Sequence, residues 1–444
     1  MTPARRRLLV GCGLLLIAQR ILLAGQDIRW FWDSQAYLEQ AQQPFDWSQI
    51  FYPKPILPSL IYRLCGVDQG FIVMLQEWLS LLAWLAFGAA LFACFRSPRA
   101  RLASGIAVVL LVLDPFRIGF CDVLLSESLN DSLMALLLAS LLVAFARTGA
   151  LRTWATASAA VIGTAWLFAR DTNAVVALVA IPTALIVWRG ALLRRYAVVA
   201  VMAIVAAASV FVLWSTTVVP PPTRLSFQSI MAPDFTARMT YSMMDNLVSR
   251  VLPDRDAREF FVEHGLPQVD KLVAIEPEVG RNRQAIYRDP AFDPARIWIE
   301  TSFRSVWIKW LAFHPLGRIS DQLRHSGQLL GVAKDDYLGY MPVGWHTRGA
   351  FGKKLSLASY DVVFLLVLLF VPALYRRRSE PLAKLAICLV VSGWVGGLSA
   401  FYGDAAEVGR HCYGAGQQVF VAIVLVLLLA IERLSPSAPP SPPA

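Results

Sequence analysis

Charge is scarce in this chain: Asp, Glu, Lys and Arg make up only 16% of its 444 residues, while 57% are hydrophobic. A mean hydropathy of +0.53 with so little charge excludes an ordinary water-soluble domain, in which about a quarter of residues are charged. Metal and redox signatures are missing as well. The six cysteines, Cys12, Cys65, Cys94, Cys121, Cys388 and Cys412, form no CxxC pair and lie mostly inside apolar runs. They read as small core residues, not as a zinc site or a disulfide framework. His264, His314, His325 and His346 show no ligand spacing, and there is no HExxH. No internal repeat is visible.

What is present is apolar sequence in membrane-sized lengths. A helix needs roughly 20 mainly apolar residues to cross a bilayer, and inside lipid its backbone must satisfy its own hydrogen bonds. The sequence therefore predicts an all-α, polytopic helical bundle. The net charge of +10 follows the same logic and does not point to nucleic acid. Arg5, Arg6 and Arg7, then Arg96, Arg99 and Arg101, then Arg147 and Arg152, then Arg189, Arg194 and Arg195, then Arg376, Arg377, Arg378 and Lys384 fill alternate short connections that hold few acids. Basic residues gathered in this way mark the cytoplasmic ends of spans.

With those connections inside, about ten spans fit, near 8–24, 69–94, 102–118, 123–146, 153–169, 173–188, 196–219, 356–375, 383–402 and 412–431. The first reads as an uncleaved helix, because no small-residue cleavage site closes it. The chain divides into a transmembrane module over 1–219, an extracytoplasmic domain over 220–355, a second transmembrane module over 356–433 and a Pro-rich, disordered tail over 434–444. An outer loop over 25–68 belongs to the first module. Between Arg224 and Lys354 there are 18 basic and 15 acidic residues, the near-balance of a soluble, folded domain. Within it Trp298, Phe303, Trp307 and Trp310 stand among charges, a pattern suited to the membrane interface.

The remaining charges near the spans gather on the non-cytoplasmic side, where ionisable groups against a bilayer tend to face a polar cavity. RWFWDSQAYLEQ carries Asp33 with Tyr37 one turn on, and FYPKPILPSLIY holds Tyr52 and sets Lys54 between two prolines as an isolated cation. GFCDVLLSESLNDSLM brings Asp122, Glu127, Asn130 and Asp131 to the start of a span. Glu127 and Asp131 lie one turn apart, so they share a face; helix capping explains Asp122 at least as well. FYGDAAEVGRHCYGAG would align Asp404, Glu407 and His411 on one stripe with Arg410 beside it. Arg410 and His411 suit a phosphate clamp, and a helix-end ion pair between Glu407 and Arg410 is the alternative.

The order of these motifs, DSQAYLEQA after the first span, then YPKPILPSLIY, then DVLLSESL at the next outer turn, resembles the C-type glycosyltransferase superfamily (GT-C). That superfamily includes protein O-mannosyltransferases, the lipid A aminoarabinose transferase and arabinosyltransferases. The resemblance implies a GT-C-like architecture and transfer of a sugar from a polyprenyl-phosphate donor to a hydroxyl of a glycan, protein or lipid acceptor. It implies Asp33 as catalytic base, Lys54 as phosphate ligand, and Arg410 and His411 as further phosphate contacts. Tyr37, Tyr52, Asp122, Glu127 and Glu407 are the other substrate-binding candidates. The family's KPP segment reads KPI here, and the doubled acidic motif of the oligosaccharyltransferases is missing. The metal dependence of those enzymes is therefore not carried over: no cofactor is certain, and a divalent cation stays open. The abundance of Ala, Arg and Leu suits a bacterial inner membrane with the site facing the periplasm; an endoplasmic reticulum enzyme facing the lumen would look similar. A transporter or lipid flippase, or a non-catalytic membrane protein whose outer domain binds a partner, are the competing readings.

Overall fold

The computed structural model describes residues 3–23, 28, 30, 32–52, 54–113, 115–188, 196–218, 240–275, 286, 289–317, 380–403 and 408–434. These residues are overwhelmingly helical. α1 (Pro3–Leu23) leads to an outer segment made of α2 (Trp32–Gln42), a 3-10 turn (Trp47–Phe51) and α3 (Ile56–Leu64). The bundle follows with α4 (Gln69–Cys94), α5 (Pro98–Val112), α6 (Pro115–Cys121), α7 (Ser126–Ala146), α8 (Gly149–Leu167), α9 (Asp171–Val187) and α10 (Tyr196–Ser215). The outer domain contributes α11 (Thr240–Asn246), α12 (Arg255–Glu263), α13 (Val269–Ala274), α14 (Asp293–Trp298) and α15 (Arg304–Phe313), and α16 (Pro381–Gly403) and α17 (Val408–Leu434) close the bundle.

Among the described residues, four helices are long and apolar enough to cross a membrane: α4, α7, α16 and the part of α17 from His411 to Leu434. Asp171–Val187 and Met202–Ser215 are shorter apolar helices. The chain is thus a helical membrane protein. The expected span at 356–375 lies outside the described residues, as do the tail and much of the 220–355 region. The expected span at 102–118 is divided: α5 ends at Val112 and α6 restarts at Pro115, a residue suited to the first position of a helix.

The helix ends follow local chemistry. Asp68 caps α4 by accepting from the Phe71 amide at 2.8 Å, and Ser97 caps α5 with Pro98 in its first turn. The Glu432 carboxylate near the end of α17 accepts from the Ser97 amide at 3.0 Å, which ties that helix to the start of α5. α4 packs on α7, α7 on α8, and α16 on both α9 and α17, around a core of Trp84, Phe87, Leu91, Leu138, Leu142, Trp166 and Leu425. Glycine makes two of these contacts close. A Cβ on Gly396 would collide with Val176 of α9, and one on Gly393 would stand 2.9 Å from the Ala415 carbonyl of α17.

The outer segment is folded onto itself by one side chain. Arg63 of α3 donates to the carbonyls of Ala41 at 3.0 Å, Gln40 at 3.1 Å and Gln43, which are the unsatisfied acceptors at the end of α2. Ser59 donates to the Gln40 side chain at 3.1 Å, and Tyr62 donates to the Leu125 carbonyl at 3.1 Å. The Leu57 amide reaches the Phe168 carbonyl at 3.3 Å, joining α3 to the end of α8.

The outer domain has its own core of Leu247, Val251, Phe261, Phe303, Trp307 and Trp310. It sits on the C-terminal end of α16: the Trp307 indole donates to the Tyr402 carbonyl at 2.9 Å, Asn246 donates to the Gly403 carbonyl at 3.0 Å, and Arg250 lies 4.2 Å above the Phe401 ring. The tryptophan stripe is divided between two faces. Phe303, Trp307 and Trp310 face the domain core, and the exposed apolar residues of this stretch are Ile297, Ile308, Phe313 and Leu316.

Candidate functional site

A cavity of about 240 Å³ opens where the outer segment, the bundle and the outer domain meet. The start of α2 supplies Asp33 and Tyr37, the start of α7 supplies Ser126 and Glu127, and the start of α9 supplies Asp171 and Thr172, with Arg170 just before it. Lys54 enters from the residue pair preceding α3, and His411 from the first turn of α17. Ser242 of α11 and Gly403 of α16 complete the rim. Four helix N-termini therefore lie around one hollow, and their dipoles and early amides favour negative charge there.

Two ion pairs organise the wall. Lys54 Nζ lies 2.6 Å from Asp33 Oδ1, with both side chains only partly exposed. Deeper in, Arg170 Nη1 lies 3.2 Å from Glu127 Oε1, and Arg170 Nη2 lies 3.1 Å from His411 Nδ1. A guanidinium only donates, so His411 Nδ1 is the acceptor and the imidazole is neutral in this arrangement, with its proton on Nε2. Tyr37 stands between the pairs. Burial, then the Asp33 and Glu127 carboxylates, push its phenol above the ordinary range, so it stays a neutral hydroxyl at any physiological pH.

Of the residues singled out from sequence, Asp33, Tyr37, Lys54, Glu127 and His411 come together on this cavity. Glu407 lies outside the described residues, and for Arg410 the structure describes the backbone of α17 but not the side chain. Three expectations need correction. Lys54 is not an isolated cation, because the turn between the 3-10 helix and α3 brings it onto Asp33. Tyr52 is buried away from the cavity, its hydroxyl donating to Gln43 at 3.1 Å. Asp122 is buried in the link between α6 and α7 and does not line the hollow; the first helical residue of α7 is Ser126 with Leu125 before it, so Asp122 is not its cap.

Glu127 and Asp131 also part company. Asp131 Oδ2 accepts from Arg117 Nε at 2.6 Å and from the Trp84 indole at 2.8 Å, and Arg117 lies 3.8 Å over the Trp84 ring while reaching Gln417 at 2.7 Å. This buried network belongs to the seam between α4, α6, α7 and α17, and Glu127 alone turns to the cavity. No protein-family profile, no curated protein and no solved structure matches this chain. The site is therefore read from its own chemistry.

Sequence reasoning places Arg170 among the charges on the non-cytoplasmic side but gives it no role of its own. It stands at a span boundary in the run FARDTNA, and its two contacts join α7 to α17. The signal was an Arg next to an Asp where a helix had to end and another begin. Among the described residues no group of three or more His, Cys, Asp or Glu side chains is arranged to hold a metal ion. The chemistry on offer is a carboxylate beside a lysine, with a second cation backed by a neutral histidine.

Proposed function

We propose that this protein is a polytopic membrane glycosyltransferase of GT-C-like architecture, with about ten spans, that moves a sugar from a polyprenyl-phosphate donor to an acceptor hydroxyl on the non-cytoplasmic side. The observation that carries this reading is the pairing of Asp33 with Lys54 on the wall that also holds Arg170 and His411. Glycosyl transfer from a phosphate asks for a base at the attacking hydroxyl and cations at the leaving phosphate, and nothing else that is chemically demanding.

In the resting state the lysine and the carboxylate occupy each other. A phosphate entering the cavity competes for Lys54 and for Arg170, which frees Asp33 to accept a proton. The acceptor oxygen then attacks the anomeric carbon as its proton passes to Asp33, and the bond from that carbon to the phosphate oxygen breaks. The polyprenyl phosphate leaves with the electron pair, held by the cations, and the anomeric configuration inverts. A single carboxylate at the reacting face suits this one displacement, with no glycosyl-enzyme intermediate. The ionisable groups sit at helix ends and not at mid-helix, which speaks against a transporter.

The test is transfer of labelled sugar from a polyprenyl-phosphate donor by purified protein in lipid nanodiscs. Asp33→Asn is expected to lower kcat by about 10²- to 10⁴-fold, the contribution of a general base, with donor KM little changed. Full activity in Asp33→Asn removes the proposed base.

A further inference from the structure

A second cavity is larger than the one described above. An apolar lumen of about 470 Å³ lies inside the bundle between α7, α8, α9, α10 and α16. Its wall is built from Leu138, Leu141, Ala159, Gly163, Ala180 and Leu389, among other apolar residues, and small side chains on α8 and α9 make the room. Empty apolar volume costs stability in proportion to its size, and the hydrophobic interior of a bilayer offers chains to fill it.

Three observations say what fills it. First, the lumen is shut off from the outer cavity. Between them lies a cleft of about 10 Å³ lined by Asn130, Asn173, His411 and Gln418, too small for anything beyond a water. Its polar groups hold each other: Asn173 donates to Asn130 at 2.6 Å, and Ser392 donates to Gln418 at 3.1 Å. Second, among the described residues one charged side chain lines the lumen, Arg152. It is half-buried, and its guanidinium has no hydrogen-bond or ion-pair partner among the described residues. Third, the mouth beside it carries an aromatic pair, Phe145 stacked on Trp188 at 5.5 Å, with Lys384 lying 5.7 Å from the Trp188 ring. Two acids at this end are already engaged: Glu380 by Arg433 and Glu432 by the Ser97 amide. Aromatic rings and cations of this kind mark the headgroup level of a membrane.

We infer that the lumen is a lipid site separate from the outer cavity, which takes the hydrocarbon chains of an anionic glycerophospholipid and sets its phosphate on Arg152 at the opposite end of the bundle. This inference does not depend on the glycosyl-transfer reading and stands if that reading fails. The full-length protein in mild detergent is examined by native mass spectrometry and by thermal shift, with added phosphatidylglycerol or phosphatidylcholine of equal chain length. Wild-type protein is expected to retain phosphatidylglycerol and to be stabilised by it at lower concentration than by phosphatidylcholine. Arg152→Gln should weaken phosphatidylglycerol about fivefold, the ratio one arginine contributes at an anionic surface, and Arg152→Lys should keep the preference. Ala180→Phe, which fills the lumen, should lose both lipids. Equal response of the wild type to the two lipids overturns the proposal. So does an unchanged preference in Arg152→Gln, or a retained lipid that proves to be polyprenyl phosphate released by changes at Arg170.

Discussion

Asp33 and Lys54 neutralise each other at 2.6 Å at a partly exposed site, whereas Arg117 and Asp131 do so in full burial. The same chemistry has different consequences in the two places. Part-exposed pairs contribute up to about 1 kcal/mol, so Asp33→Asn should alter the site and leave the melting temperature nearly unchanged. Asp131→Ala abandons a buried guanidinium beneath Trp84 and should cost about 3–5 kcal/mol, read as a drop in thermal stability in detergent. Replacing Arg117 with Met in that background should restore most of the loss, since the cost lies in the orphaned charge. Tyr37 and Tyr62 add a pH dependence of known sign. Burial raises both phenols above their ordinary value of 10.0, so the unfolded chain releases these protons first. The stability they contribute is complete below pH 10 and is lost as pH climbs beyond it. An alkaline unfolding series should therefore show a transition that Tyr37→Phe makes shallower.

At the scale of the element, the contact of α16 with α9 depends on a missing side chain. Gly396→Ala places a methyl into Val176 and is expected to destabilise by about 1–3 kcal/mol. Val176→Ala should relieve most of that in a double-mutant cycle. The outer segment shows how far such elements can be read in advance. Aspartate followed by a tyrosine one turn on, and a lysine between prolines, were legible as features of a membrane mouth. Their pairing was not, because it depends on Arg63 drawing the end of α2 back to α3 across some 20 residues of chain, and side-chain caps of that reach leave no periodic signal. The tryptophans at 307 and 310 carry a related ambiguity: indoles suit both an interface and a small domain's core, and it takes the structure to show Trp307 docked on the Tyr402 carbonyl.

Over the whole molecule, hydropathy foretold a helical membrane protein, and four described helices are long and apolar enough to cross a bilayer; the basic connections add a proposed polarity, with Asp33 and Lys54 on the non-cytoplasmic side. Arg170 was legible as a charge on that side but not in its role, which lies in joining α7 to α17, a relation carried by tertiary packing. The polarity has a direct test. Single cysteines at Trp47 and at Arg147, both exposed, in a cysteine-free background should react with a membrane-impermeant maleimide from opposite sides of sealed vesicles. Labelling of both from one side would dismantle the proposed topology. The guanidinium of Arg63 has one more effect at this scale. Because it fastens the end of α2 to α3, and α3 is in turn bound to the bundle through the Leu57 amide and the Tyr62 hydroxyl, the backbones on either side of the carboxylate and the amine are part of one continuous scaffold.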